Sequence, residues 1–325
     1  MKQSNDFSMY EYLKARDKGD NRPLISYYNN RISTNTFFEQ VDIVANALNS
    51  FGVKCGDNIA LCLPNIPNAI IIFYAANKLG VGVNLIHPLV PPKVLGDMVE
   101  VLNSKLVFVF DMFYNKNRSV LEQKNVATVL CRPSDYLKNI YKWGYDLWTS
   151  RKKPSLNNED NVLYFNDFIK YQLQPAPVRE HYTGIGDEIA AYIHSGGTTG
   201  MPKTAMLANR AINECSYSIR TLIGDEVQKG ESMLMVLPMF HIFGLGVCMH
   251  STLTAGARCI LVPSFKPKSL AKVVRRERAT YMTGVPSMYA KLIKVKAFGG
   301  RYLRKMKYCY CGGDKLKQEI KQDFD

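Results

Sequence analysis

Segments with helical periodicity alternate with short apolar runs along the chain, and this alternation restricts the fold more than any other sequence feature. The stretch TFFEQVDIVANALNSFG carries an apolar stripe at helical spacing, from Phe37 to Leu48. Thr36 and Glu39 have the spacing of a capping box, which predicts that the helix begins there, and Gly52 is expected to end it.

Further helix and strand patterns follow this first helix. The runs NIALCL and VGVNLI are predicted strands on either side of a helix from Pro67 to Leu79, and KLVFVF is a third strand. Helices that alternate with short apolar strands indicate an α/β fold with layered, parallel-rich β-sheets flanked by helices. We expect two such subdomains, residues 1–180 and 181–325, with a tryptophan-containing insertion near 131–174.

The composition narrows the class of protein. A chain of 325 residues with 46% hydrophobic and 22% charged residues is ordinary for a soluble globular protein. The N-terminus lacks the apolar core of a signal peptide, and Asn77 and Lys78 interrupt the most apolar run. We therefore predict a cytoplasmic protein without a membrane span. Its eight cysteines are expected to be reduced, as is usual in a cytosolic protein. A zinc site is not expected, because Cys309 and Cys311 form a lone C-x-C without the second pair that zinc needs.

The net charge is +14, but the basic residues are spread along the chain and no nucleic-acid-binding motif accompanies them. We therefore predict no nucleic-acid partner and interpret the charge as a solvated basic surface.

A segment with both tryptophans, DYLKNIYKWGYDLW, has two interpretations. We favour a helix packed on the domain; the alternative is an interfacial helix with the basic flank Arg151–Lys153, in peripheral contact with the inner membrane surface. The side predicted to pack comprises Leu137, Ile140, Tyr141, Gly144, Leu147 and Trp148.

The stretch HSGGTTGMPKT carries the residues of a phosphate-binding loop. Its glycines let consecutive backbone amides turn towards an anion, its threonines add hydroxyl donors, and Lys203 adds a positive charge. Because Met201 and Pro202 separate the last glycine from the lysine, the stretch is not a Walker A loop. The flanking runs EIAAYIH and TAML predict a strand–loop–strand instead.

This loop resembles the signature of the adenylate-forming (AMP-binding) enzymes, with His194 for the usual tyrosine and Thr204 for the usual glycine. Its Ser-Gly-Gly start is similar to that of the fatty acyl-CoA synthetase branch. The segments LPMFHIFGLG and YCYCGGDKL resemble a second and a third motif of the family, and the N-terminal run resembles its opening pattern.

The resemblance implies that ATP and a medium- or long-chain fatty acid form an acyl adenylate and then an acyl-CoA, with ATP, Mg²⁺ and coenzyme A required. The residues with implied catalytic roles are Lys203, Thr198 and His241. Those implied to hold the nucleotide are Ser195, Gly196, Gly197, Thr199, Gly200, Gly312 and Gly313. Those implied to line the acid pocket are Phe240, Gly244, Gly246, Val285 and Tyr289. No metal ligand is assigned.

The family's magnesium-binding glutamate, ribose-binding aspartate and C-terminal catalytic lysine have no counterpart before Asp325. We therefore expect this chain to be an N-terminal part of an enzyme, truncated within its second subdomain and inactive alone. Two alternatives stay open: an adenylation domain that loads an amino or aryl acid onto a carrier protein, and a non-catalytic nucleotide-binding remnant. The acyl chain length and the oligomeric state are also left open.

Overall fold

The computed structural model describes residues 6–28, 30–149, 161–179, 184–195, 202–223, 230–296, 298–299, 303 and 305–324. The α-helices in these ranges are α1 (Met9–Ala15), α2 (Thr34–Ser50), α3 (Pro67–Leu79), α4 (Pro92–Val101), α5 (Asp111–Gln123), α6 (Asn139–Thr149), α7 (Phe165–Phe168), α8 (Asn209–Ile223), α9 (Ser251–Thr254), α10 (Pro267–Glu277), α11 (Pro286–Ile293) and α12 (Gln318–Phe324). The strands are β1 (Pro23–Tyr27), β2 (Asn30–Ser33), β3 (Asn58–Cys62), β4 (Gly82–Leu85), β5 (Ser104–Phe110), β6 (Ala127–Cys131), β7 (Val162–Tyr164), β8 (Ile189–His194), β9 (Thr204–Ala208), β10 (Ser232–Met235), β11 (Arg258–Leu261), β12 (Tyr281–Gly284) and β13 (Tyr308–Cys311).

The strands form two sheets. The seven-stranded sheet has the order β7-β6-β5-β3-β4-β8-β9, and the six-stranded sheet has the order β13-β12-β10-β11-β1-β2. All neighbours are parallel except β9 beside β8 and β2 beside β1. The predicted α/β fold with layered, parallel-rich sheets is therefore confirmed.

The two sheets exchange strands across residue 180. Strands β8 and β9 lie after this residue but extend the seven-stranded sheet, whereas β1 and β2 lie near the N-terminus but extend the six-stranded sheet. One cluster of buried apolar side chains includes members from both sheets, such as Leu61 of β3 and Leu234 of β10. Sheet membership thus follows a different division from the predicted subdomains, whose boundary at residue 180 stays a prediction.

Helix α2 begins two residues earlier than the sequence predicted. Its N-cap is Ser33, whose hydroxyl accepts a hydrogen bond from the backbone N–H of Thr36, so the capping box at Thr36 and Glu39 was wrong. Ser33 is the last residue of β2 and has an extended backbone, and the strand therefore leads directly into the cap. The expected stop is confirmed, because the helix ends at Ser50 and Gly52 has a φ of +78°.

Helix α6 is present, but the predicted packed side was wrong for three residues, because Tyr141, Gly144 and Leu147 are exposed. Tyr141 and Leu147 are 48% and 62% exposed, together with Trp143 at 70%. Polar contacts hold the helix instead, because the Tyr145 hydroxyl donates to the Asp111 carboxylate at 3.3 Å and Arg132 is paired with Asp146.

Part of the tryptophan segment lies outside the described residues. These are the side chains of Ile140 and Trp148 and the basic run from Arg151 to Lys153. Within the described ranges, no helix has both the length and the apolar composition needed to cross a membrane.

Candidate functional site

The parallel strands of both sheets end at a shared cavity of about 640 Å³, the size of a pocket for a small organic ligand. Its wall consists mainly of the segments that follow five strands, namely Pro64 and Asn65 after β3, His87 to Leu89 after β4, Phe110 to Phe113 around the end of β5, Val236 to Phe240 after β10, and Pro263 to Lys266 after β11. Ligands of parallel α/β proteins bind at such carboxyl ends. The topology therefore makes this cleft the candidate functional site.

The glycine-rich loop leaves the carboxyl end of β8, one strand away from this cavity. The strand–loop–strand prediction is confirmed, because β8 and β9 pair antiparallel with His194 opposite Thr204. The backbone N–H of Ser195 donates to the carbonyl of Lys203 at 2.9 Å and closes the base of the loop. The centre of the loop, residues Gly196, Gly197, Thr198, Thr199 and Gly200, lies outside the described residues.

Strand β4 separates the loop from the cavity wall. It pairs with β8 on one side and with β3 on the other, and His87 follows its carboxyl end. Neighbouring strands are roughly 4.8 Å apart, so the base of the loop and His87 leave adjacent strands at the same edge of the sheet. The base of the loop and the apolar cavity thus lie at the same edge of the seven-stranded sheet, and the Lys203 side chain is exposed.

Asn65, which follows β3 of one sheet, is hydrogen-bonded to the second motif, which follows β10 of the other sheet. Asn65 was not among the predicted site residues. Its amide group donates to the carbonyls of Met235 and Leu237 at 3.1 and 3.0 Å, and its side-chain oxygen accepts from the N–H of Met239 at 3.1 Å. The side chain is only 3% exposed. A polar residue between the end of a predicted strand and Pro67 was the available signal.

Three aromatic rings form a row that begins at the cavity wall with His87 and Phe240 and continues to His241. The rings of His87 and Phe240 are 4.6 Å apart between centroids, and those of Phe240 and His241 are 4.9 Å apart. Burial lowers the pKa of both imidazoles below the usual 6.5, and the nearby His241 lowers the pKa of His87 further. Both histidines are therefore neutral at pH 7 and offer hydrogen-bonding groups without charge. His87 was not among the predicted site residues.

The apolar segment after His241 contains a π-helix, Phe243–His250, which continues into α9. A Cβ atom on Gly244 would lie 2.0 Å from the carbonyl oxygen of Pro238, so only glycine permits this approach of the helix to the motif. Gly246 faces the side chain of Cys215 instead. Among the described residues, neither glycine lines the 640 Å³ cavity, and their acid-pocket role stays a prediction.

Tyr289 and the glycine pair lie at the far end of the six-stranded sheet. Tyr289 donates from its hydroxyl to the carbonyl of Tyr310 at 2.7 Å and borders a separate cavity of about 100 Å³. A Cβ on Gly312 would lie 2.8 Å from the ring of Phe243, and Gly313, with a φ of +81°, faces Val285. These predicted pocket and adenine residues all follow β12 or β13, whereas Phe240 is the one predicted pocket residue within the described ranges that lines the large cavity.

The described residues do not supply the ligands of a metal ion. No group of three or more histidine, cysteine, aspartate or glutamate side chains in the described part of the chain is arranged to hold one. The Mg²⁺ implied by the resemblance therefore has no ligand set here, and we derive no chemical step through it.

The structure has a glycine-rich loop after β8 and an apolar cavity at the carboxyl ends of parallel strands. This arrangement is typical of α/β proteins that bind a ligand at the strand ends. Comparison with known proteins makes this class specific. The chain belongs to the family described as AMP-binding enzyme, whose profile matches residues 13–325.

Relatives and solved structures agree with this family. The chain is 26% identical over 316 residues to the long-chain-fatty-acid–CoA ligase of Bacillus subtilis (strain 168), with 93% of this chain and 54% of the relative covered. It is 23% identical over 278 residues to 4-coumarate–CoA ligase 1 of Oryza sativa subsp. japonica, with 84% and 45% covered.

The fold matches ATP-bound MatB from Rhodopseudomonas palustris with a TM-score of 0.77 and 17% identity, covering 98% of this chain and 57% of that one. It also matches the anthranilate CoA ligase AuaEII in complex with anthranoyl-AMP, with a TM-score of 0.79, 18% identity and coverage of 98% and 57%. The chain thus spans about half the length of the relatives it matches.

Proposed function

We propose that this chain, which spans about half the length of the relatives it matches and is expected to be inactive alone, takes part in the activation of a carboxylic acid with ATP and in the transfer of the acyl group to coenzyme A. A carboxylate oxygen attacks the α-phosphorus, the bond to pyrophosphate breaks, and an acyl adenylate forms. The thiol of coenzyme A then attacks the acyl carbon, and AMP leaves. The observation that carries this proposal is the loop base at Ser195 and Lys203, which opens beside an apolar cavity in a chain of the AMP-binding family.

Lys203 and the loop stabilise the first step in this proposal. Negative charge develops on the departing phosphates, and a lysine ammonium together with amide and hydroxyl donors lowers the energy of that transition state. The donors assigned to the phosphates are Ser195, Gly196, Gly197, Thr198, Thr199 and Gly200. Gly312 and Gly313 are assigned to the adenine.

The row formed by His87, Phe240 and His241 borders the reacting acyl group in this proposal. Neutral imidazoles bind a polar thioester or carboxylate by hydrogen bonds without holding an anion too tightly for transfer. The apolar cavity beside them takes an aliphatic part of the acid or of coenzyme A. Gly244, Gly246, Val285 and Tyr289 are assigned to the remaining wall of the acid pocket.

The acid we favour is a medium- or long-chain fatty acid. The cavity wall is mainly apolar, and the Bacillus subtilis relative is named for long-chain fatty acids. An aryl acid is the second candidate, because the Oryza sativa relative is named for 4-coumarate. The location we favour is the cytoplasm, with peripheral contact at the inner membrane surface through the exposed face of α6.

Mass spectrometry of the coenzyme A thioesters formed from a mixed pool of acids tests this proposal. We expect fatty acyl thioesters to dominate, with formation dependent on ATP. A product spectrum restricted to aryl thioesters would contradict the acid class. Acyl transfer to a carrier protein but not to coenzyme A would contradict the acceptor.

A further inference from the structure

His194 connects three strands at the base of the glycine-rich loop. One ring nitrogen, Nε2, lies 2.7 Å from the side-chain oxygen of Asn84 on β4, and the other, Nδ1, lies 3.0 Å from the hydroxyl of Thr204 on β9. His194 itself ends β8. The imidazole therefore bridges the strand inside the sheet and the strand at its edge.

The buried end of this bridge is fixed. The Asn84 side chain has no exposure, and its amide group donates to the carbonyl of Met98 on α4 at 3.0 Å. Its oxygen therefore faces His194 as an acceptor, so Nε2 of His194 must carry the proton. Burial lowers the pKa of His194, and in the neutral ring Nδ1 is the acceptor for the Thr204 hydroxyl.

The exposed end of the bridge lies next to Lys203. The carbonyl of Lys203 accepts from the backbone N–H of Ser195 at 2.9 Å and lies 3.3 Å from the Ser195 hydroxyl. Two consecutive residue pairs, His194 with Thr204 and Ser195 with Lys203, thus fasten both ends of the loop. The side chain of Lys203 is exposed, so the backbone contacts set where it starts.

His194 and Thr204 are also the two positions at which the loop departs from the signature that it resembles. Glycine at position 204 would have no hydroxyl, and tyrosine at position 194 would not present a pair of ring nitrogens on opposite sides. The two departures meet in one hydrogen bond. They therefore form a coupled pair in this chain.

We propose that His194 is a positioning residue that transmits the fixed location of Asn84 to Thr204, and thereby sets the position of the Lys203 end of the loop. The bridge itself does not depend on the proposed function, whereas its effect on catalysis rests on that function through Lys203. Loss of the hydrogen bond between His194 and Thr204 should raise the ratio of the open to the closed base of the loop about fivefold.

Amide hydrogen exchange on the 325-residue chain tests the bridge without any need for catalysis. We expect Thr204→Val to speed exchange of peptides within residues 189–208 about fivefold. Thr204→Ser retains the hydroxyl and should exchange like the unsubstituted protein. Thr221→Val, a matched change on the exposed side of α8, should leave these peptides unaffected. Equal exchange in the Val and Ser variants of Thr204 would overturn the proposal.

Nitrogen NMR of labelled histidine provides a signature that a merely structural role would not produce. The chain has five histidines, and His194→Gln assigns the relevant signals by their loss. We expect His194 to be neutral with the proton on Nε2, and Thr204→Val to shift only its Nδ1 signal. A proton on Nδ1 at pH 7 would overturn the assignment. Absence of acid-dependent activity in the chain joined to the uncovered part of the Bacillus subtilis ligase would contradict the proposed function and leave both of these results unchanged.

Discussion

The side-chain oxygen of Asn65 accepts a hydrogen bond from the backbone N–H of Met239, 174 residues further along the chain, at 3.1 Å. This contact joins the end of β3 in one sheet to the segment after β10 in the other. Since the same side chain also donates to Met235 and Leu237, one buried amide contacts three backbone groups between the end of β10 and Met239.

Asn65→Leu should lower the free energy of unfolding substantially. The substitution removes the partner of the Met239 N–H and of the Leu237 carbonyl, whereas the Met235 carbonyl still accepts from the N–H of Val262 at 3.1 Å. Each unsatisfied buried group costs about 1–3 kcal/mol. Chemical denaturation should therefore give a loss of at least about 2 kcal/mol. Asn49→Leu is the matched control, because Asn49 makes a single hydrogen bond, to the Pro175 carbonyl, in an exposed setting. Equal losses in the two variants would contradict the role of Asn65.

The buried His250 should make the fold sensitive to acid. Its two nitrogens lie 2.8 Å from the Tyr74 hydroxyl and 2.8 Å from the side-chain oxygen of Asn213. Burial lowers the pKa of His250 from 6.5 to about 3. Between these two pH values the histidine is protonated in the unfolded chain and neutral in the folded chain. The contribution to stability is fully present above pH 6.5 and is lost as the pH falls towards 3, at about 1.4 kcal/mol per pH unit.

This prediction is checked by comparing the denaturation curves of the unsubstituted protein and of the His250→Gln variant at several pH values. Burial raises the pKa of Asp135 to about 6, which acts in the opposite direction as the pH falls, so the native protein alone does not isolate His250. The His250→Gln variant should be less stable at pH 7 and should lack the histidine part of the acid slope. A slope identical to that of the unsubstituted protein would show that His250 is not the titrating group.

His241→Ala should impair use of the acid and leave nucleotide affinity nearly unchanged. The imidazole packs beside Phe240, which lines the cavity, whereas the glycine-rich loop leaves a different sheet. Steady-state kinetics with varied acid and varied ATP separate the two effects. A comparable loss of nucleotide affinity would indicate instead that His241 holds the turn of the motif in place.

The exposed face of α6 should respond to an anionic lipid surface. Trp143 is 70% exposed, Leu147 one helical turn further on is 62% exposed, and the sequence continues into a basic run. Tryptophan fluorescence should shift to shorter wavelength with anionic vesicles, and salt should reverse the shift by screening. No shift at low salt would contradict the membrane contact.

Local signals explain which parts of the fold were predictable. Helix α3 runs from Pro67 to Leu79 as expected, because proline opens the first turn and Gly80, with a φ of +73°, ends it. The cap of α2 was misplaced because Ser33 and Thr36 are both good cap residues, and the end of β2 decides between them. The pairing of β1 with β11 depends on contacts far apart in sequence, which periodicity does not encode.

The site was predictable where a motif carries its own chemistry. Ser195 directly follows β8 and Lys203 directly precedes β9, in agreement with the predicted strand–loop–strand, and Phe240 and His241 lie in the segment after β10. The sequence did not predict that Asn65 and His87 belong to the site, because their partners lie far away in sequence. A lone asparagine or histidine has no local sequence pattern that indicates such a contact. The exposed face of α6 was misjudged because Arg132 and Asp111, from neighbouring strand ends, hold that helix by polar contacts.

The central claim is that Lys203 acts on the phosphates during activation of an acid, and acid-dependent exchange between ATP and pyrophosphate measures this step. The assay uses the 325-residue chain joined to the part of the Bacillus subtilis ligase that it does not cover, because the chain alone is expected to be inactive. Lys203→Ala should slow exchange about 100-fold, since loss of such a group raises the barrier by about 3 kcal/mol. Lys272→Ala, a change at an exposed lysine of α10, should have no effect. Exchange by Lys203→Ala within twofold of the unsubstituted protein would contradict the account.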